Sequence, residues 1–483
     1  MNIKDFFLVL FFTLNLFTLA WSQILDNTAE IQGYASETPK KVVDAVMIVQ
    51  GYEWGPGVPK IIVEFSDAVS GFDKDTFLVK TGGSDREVLD AYNTDADGIK
   101  QTDATNYVTF EFTASGDDSN PFTFDMKTFF NNWSDPYKLE LSLAKKKSFN
   151  IGETEFNADN PFTFQMNLAG KYIIPETATW KKDSYKKGEY TLQRASFTPK
   201  GAEADGVKNP LIIWLHGAGE GGVDPDIVLL GNEVVALSRD EIQKYFTSDD
   251  VKGAYVLIVQ TPTMWMDRGD GQYNDKTPAG QKQESCYDDV LFSAIKDYVK
   301  GNPDIDTNRI YVGGCSNGGY MTMNLIFEHG DFFTAFYPIC EAYMNKNIND
   351  EMIEQAKDYN IWFIASEDDT TVDPLITSIP TFYRFLKAGS KNVHYTLYDH
   401  VRGTDDPKTI YLGHFSWIYA FNDQVKKEFD NDKVVDDLPN VVIDKNSGAI
   451  TSKDNYVTND NCYKSANMWA WMASQTKSKK LLD

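Results

Sequence analysis

Cysteine and histidine are scarce in this chain of 483 residues, with four of the first and five of the second, and positive charge is the minority sign. No Cys or His pair stands at zinc-ligand spacing, so metal binding is not expected and no metal or organic cofactor is implied. With 46 Lys and Arg against 71 Asp and Glu, the formal charge of −25 disfavours phosphate backbones and anionic membrane surfaces, so neither nucleic acid nor membrane is an expected partner. After the first 22 residues no apolar run is long enough to cross a bilayer. Apolar residues still make up 42% and aromatics 14%, ample for burial, so the chain is globular and long enough for two domains.

The N-terminus reads as a secretory signal over residues 1–22: Lys4 precedes the apolar run Phe6 to Leu19, and Ala20 and Ser22 stand before a cut at Gln23. Export would place Cys286, Cys315, Cys340 and Cys462 in an oxidising compartment. Their three complete pairings are not ranked by sequence. Cys315 and Cys340 close neighbouring strands, which leaves a bridge and buried free thiols both open. Asn132-Trp133-Ser134 is a glycosylation sequon.

Two patterns divide the remainder. Residues 41–170 carry short strand-like runs, Val42 to Val49, Lys60 to Phe65, Tyr107 to Thr113 and Tyr137 to Leu143, without helices, which predicts an all-β sandwich. Asn120-Pro121-Phe122-Thr123-Phe124 recurs at Asn160 to Phe164 as a second strand entry. A Lys-rich polar passage, Trp180 to Gly188, reads as the boundary. Residues 185–483 then alternate apolar strands with amphipathic helices, including Tyr287 to Val299 and Tyr320 to Glu328, the grammar of an α/β sheet domain. Leu211-Ile212-Ile213-Trp214-Leu215 fits a strand covered on both faces. A polar insertion over about 429–463 precedes a C-terminal helix around Met468 to Ala473.

Chemistry concentrates in the second region. Gly314-Cys315-Ser316-Asn317-Gly318 lies between the apolar run Arg309 to Gly313 and a helix-like segment. A serine in so tight a strand-to-helix turn exposes its hydroxyl and aims the next backbone N–H at a reacting carbonyl oxygen. The serine needs a histidine base, and the base an acid to fix its tautomer. His414, in Gly413-His414-Phe415-Ser416-Trp417 after the last strand, is the expected base, with His400 the alternative. The expected acid is Asp369, three residues before Val372 in a D-x-x-V arrangement, with Asp368 the alternative and Glu341 a lesser one. His216 opens a glycine-rich loop through Gly222, suited to aiming N–H groups at an oxyanion, and reads as its buttress.

These motifs over residues 190–425, in the order Ser316, Asp369, His414, resemble the α/β-hydrolase secreted esterases of the polyhydroxybutyrate depolymerase-like and feruloyl esterase-like groups. The all-β region, with Gly51-Tyr52-Glu53-Trp54-Gly55-Pro56-Gly57, resembles the immunoglobulin-like N-terminal domain of bacterial esterases. There is also similarity to the prolyl oligopeptidase superfamily, whose seven-bladed propeller is missing, since about 130 residues cannot supply it. The resemblance implies an acyl-enzyme ester hydrolase acting on short-chain, aryl or plant-polysaccharide acyl esters, its oxyanion held by the N–H of Asn317 and one from Ala218 or Gly219. A serine peptidase and a noncatalytic carbohydrate-binding or adhesion protein are the alternatives. Trp265, Tyr343, Trp54 and Tyr273 are expected aromatic substrate contacts, foremost Trp265 with its neighbours to Gly269.

Overall fold

The computed structural model describes residues 41–483 apart from 204–205, 272–276, 406, 438–440, 452–462 and 478–483. The expected signal segment, Tyr273 and Cys462 lie outside the described residues. Two compact units divide between Ala178 and Thr179.

The first unit is an immunoglobulin-like β-sandwich. Val42–Tyr52 and Gly55–Phe65 pair antiparallel and continue through Tyr107–Phe112 to Val88–Thr94, while Tyr172–Ile173 adds a parallel edge. A four-stranded sheet centred on Phe77–Thr81 and Lys138–Leu143 faces it. The sheets meet through aromatic edges: Phe77 lies 5.2 Å from Phe110 and 4.7 Å from Phe149, and Phe65 lies 6.2 Å from Phe162. Of the two Asn-Pro-Phe-Thr-Phe copies, one enters the hairpin Phe122–Asp125 with Phe130–Trp133 and the other the edge strand Thr163–Asn167. Asn132 of the sequon is exposed.

The second unit is an α/β-hydrolase fold on an eight-stranded sheet, whose strands we number β1 (Lys181–Lys187), β2 (Tyr190–Phe197), β3 (Asn209–Leu215), β4 (Tyr255–Gln260), β5 (Ile305–Cys315), β6 (Ala335–Ile339), β7 (Asn360–Ser366) and β8 (Val393–Tyr398). Their spatial order is β1-β2-β4-β3-β5-β6-β7-β8. Strand β2 pairs antiparallel with both its neighbours, β1 and β4, and the remaining pairs are parallel. The passage read as a polar boundary is thus strand β1. Its exposed lysines suit a sheet edge, where charge discourages pairing with another chain, and that position is why its apolar signal is weak.

Residues of β3 alternate between two cores. Leu211, Ile213 and Leu215 pack with helices Asp288–Gly301, Asn317–His329 and Ser378–Lys387 on one face. Ile212 and Trp214 pack with Pro225–Gly231, Trp417–Phe421 and Met468–Ser474 on the other. The polar stretch near its start forms a short strand, Lys427–Phe429, paired with Tyr463–Ser465, so it returns to the body of the unit before the last helix. Because β3 and β5 to β8 run parallel, the segments leaving them emerge at one edge of the sheet, where functional groups of such folds gather.

Candidate active site

Ser316 follows β5 with φ 54° and ψ −114°, a conformation few non-glycine residues adopt. Close packing enforces the turn. A Cβ on Gly318 would lie 1.9 Å from the Leu215 carbonyl oxygen, one on Gly314 2.5 Å from that same oxygen, and one on Gly319 2.7 Å from Glu341 Cα. Only hydrogen fits there, so the helix Asn317–His329 begins against the ends of β3 and β6. Ser316 N–H donates to the Ile339 carbonyl at 2.9 Å, and the Ser316 hydroxyl makes no capping bond to its own helix.

Asp369 lies in the turn after β7. Its Oδ1 accepts the N–H groups of Thr371 at 2.8 Å and Val372 at 2.9 Å, which gives the D-x-x-V spacing its physical meaning. Oδ2 is left to accept from His414 Nδ1 at 2.8 Å. Both residues are buried, His414 at 6% and Asp369 at 4% exposure, so water screens the pair little. Burial alone would push the His414 imidazolium down, but Asp369 and then Cys340 outweigh it and hold the ring well above the ordinary imidazole range. Trp417 stands edge-on to the ring at 5.7 Å.

The alternative acid and alternative base find each other. Asp368 Oδ2 lies 2.8 Å from His400 Nδ1, its Oδ1 accepts from the Ser366 hydroxyl at 2.6 Å, and the pair is half-buried. Glu341 turns instead to the Tyr343 N–H at 2.6 Å, and burial raises its carboxyl well above the usual range. His329 stacks on Phe292 at 3.6 Å, and His394 sits between Trp362 and Trp471 with Glu428 at Nδ1.

His216 is fully buried and neutral, pushed down to about 4 by its burial. Nε2 accepts from the Thr261 N–H at 3.1 Å, which leaves Nδ1–H to donate to the Gly217 carbonyl at 2.6 Å. Both nitrogens are thereby engaged in holding the loop. Ala218 and Gly219 form a short 3₁₀ turn, half-buried, braced by buried Glu220 and Asn232. The Asn317 side chain is also engaged: Oδ1 accepts from the Trp265 N–H at 2.6 Å, tying the loop after β4 to the serine turn.

Trp265 and Tyr343 require correction as substrate contacts, since both have 0% exposure. Trp265 packs against His216 and Tyr287, while Tyr343 stacks on Tyr320 and accepts the Gln283 N–H at 3.1 Å. Their place near strand ends marked them from sequence, but the loops fold inward and fill the core with them. Trp54 belongs to the sandwich unit, where it stacks on Tyr52.

Sequence reasoning missed Cys340 as a neighbour of His414. It follows β6 at φ 38°, buried at 2%, and its thiol lies beside His414 and Asp369. Its position right after the strand next to the serine's was the signal available. Cys286, Cys315 and Cys340 are all free thiols. Burial pushes the Cys340 thiol up to about 11.

Comparison with known proteins agrees with this architecture. Residues 44–148 match the model of the esterase Ig-like N-terminal domain, and residues 266–378 match that of the prolyl oligopeptidase family. The chain is similar to a thermostable esterase of known crystal structure, at 24% identity and TM-score 0.59, covering 82% of this chain and 98% of that one. Weaker likenesses include a Pyrococcus horikoshii acylaminoacyl peptidase, at 13% identity and TM-score 0.35 over 70% of this chain and 54% of that one. A ferulic acid esterase is similar at 14% identity and TM-score 0.35, over 46% and 89%. No relative was found among curated protein sequences. The two family matches together support a serine hydrolase of α/β-hydrolase fold behind an esterase-type immunoglobulin-like domain.

Proposed function

We propose that this chain is a secreted serine ester hydrolase that works through an acyl-enzyme, with Ser316 as nucleophile, His414 as general base and Asp369 as the acid that orients it. The observation that carries the reading is the buried Asp369–His414 bond at 2.8 Å, with the other carboxylate oxygen held by two backbone N–H groups. A carboxylate held in this way fixes the Nδ1–H tautomer and leaves Nε2 as the basic nitrogen.

Ser316 Oγ attacks the ester carbonyl carbon as His414 Nε2 takes its proton. The N–H of Asn317 and one from Ala218 or Gly219 receive the oxyanion, each donor of this kind lowering the barrier by about 3 kcal/mol. Collapse expels the alcohol, which leaves with the proton from His414. Water, activated by the same ring, then frees the acid. Every step uses groups of this chain and needs no cofactor.

The esterase-type N-terminal domain favours esters as the substrate class, with short-chain, aryl or acylated plant-polysaccharide esters as candidates. The prolyl oligopeptidase match over residues 266–378 favours the second reading, a serine peptidase. Rates for the protein and its Ser316→Ala variant on acetyl, butyryl, longer-chain and feruloyl esters and on prolyl and alanyl anilides decide between them. Serine-dependent cleavage of esters is expected, and cleavage confined to anilides would establish the peptidase.

A further inference from the structure

We propose that Cys340, Asp369 and His414 form an inhibitory site for a thiophilic divalent cation of the zinc type. The inhibition, though not the binding, rests on His414 being the base of the proposed reaction. Ligand atoms of these three residues lie within 4.8 Å of one another, and no other such group of His, Cys, Asp and Glu occurs among the described residues. They arrive from three parts of the chain: the residue after β6, the turn after β7 and the short 3₁₀ turn Gly413–Phe415.

The donor set suits the cation. Thiolate, imidazole and carboxylate are the side chains Zn²⁺ takes, with bonds of about 2.3 Å to sulfur and about 2.0 to 2.2 Å to nitrogen and oxygen. A tetrahedral ion therefore wants its ligand atoms roughly 3.3 to 3.6 Å apart. The ligand atoms start within 4.8 Å of one another, and the ion enters by replacing the Asp369–His414 hydrogen bond of 2.8 Å. Charge balances as well: a divalent ion in a dry site needs two anions, and one thiolate with one carboxylate supplies them. Water takes the fourth position.

Cys340 has no step in the proposed reaction, yet its backbone is held in the left-handed region at φ 38°, which keeps it at the end of β6 beside the base. Binding displaces the thiol proton to solvent and gives the ion one lone pair of the ring. The other ring nitrogen then carries the proton, so no lone pair remains to receive one from Ser316. Hydrolysis stops without any bond to Ser316.

The test uses the full protein freed of metal by a chelator, with Co²⁺ as the optical probe and Zn²⁺ as the inhibitor. Thiolate-to-cobalt charge-transfer absorption should appear in the wild type and be lost in both Cys340→Ser and His414→Asn. Zn²⁺ should abolish p-nitrophenyl acetate hydrolysis reversibly. Cys340→Ser, referred to its own rate without cation, should need about 10- to 100-fold more Zn²⁺. Absence of the band in the wild type, an undiminished band in Cys340→Ser, or equal Zn²⁺ sensitivity of the two proteins overturns the proposal. Near-ultraviolet circular dichroism establishes that the variants are folded, with Cys340→Ala as a second substitution. If the chain hydrolyses no ester, the optical titration still decides the site by itself, so failure of the functional reading is told apart from failure of the cation site.

Discussion

Asp369 and Asp368 are adjacent and chemically identical, yet their surroundings give them different partners. Asp369 is buried with two amides and His414, whereas Asp368 holds the half-buried His400. The D-x-x-V spacing carried that distinction in the sequence, because a carboxylate accepting the amides two and three residues on is a local turn. Asp369→Asn should lower kcat/KM by about 10⁴-fold by presenting the wrong tautomer. It should also move the pH limb: the base works when neutral and Asp369 raises its pKa, so the wild-type rate climbs only as pH passes above the ordinary imidazole range. Without that carboxylate the remaining rate should climb at lower pH, and an unmoved limb would show that Asp369 does not set the titration. His400→Ala should keep activity within about threefold, while His414→Ala should lose about 10⁴-fold or more. Cys340 was not legible as a neighbour of the base, since its partners come from distant parts of the chain.

The serine turn shows how elements create a site by pressing together. Gly318→Ala would put a methyl 1.9 Å from a backbone oxygen of β3, so helix and strand must separate. We expect it to cost about 1 to 3 kcal/mol in urea unfolding, with Ser316-dependent hydrolysis falling in parallel. Gly301→Ala is the contrast. Nothing lies within 4 Å of its added carbon, and it closes the helix Asp288–Gly301, so stability should hold or rise by about 0.5 to 1 kcal/mol. Equal losses at both positions would argue against packing as the reason for the glycines. Strands β3 to β8 were legible because both faces are covered and their apolar runs are nearly unbroken. Strand β1 was not, because an edge strand bearing lysines has the composition of a linker. The helix after the serine starts at Asn317, ahead of the sequence reading at Tyr320, because Gly318 and Gly319 suppress the helical pattern that packing then imposes.

At the scale of the whole chain, two compact units carry separate cores, and the sandwich buries its own aromatic cluster around Phe77, Phe110, Phe149 and Phe162. Residues 41–178 made alone should therefore melt cooperatively by circular dichroism, and a broad, featureless melt would mean that this unit needs the rest of the chain. The division into an all-β and an α/β region was legible from periodicity, but the inward folding of Trp265 and Tyr343 was not, since aromatic residues in loops read alike whether they fill a core or meet a ligand. The central claim concerns one oxygen atom, Ser316 Oγ. Incubation with a p-nitrophenyl phosphonate, followed by intact mass and peptide mapping, tests it most directly. One equivalent on Ser316, with labelling slowed by His414→Asn, is the predicted result. A fully folded protein that stays unlabelled, or carries the label on another residue, would contradict it.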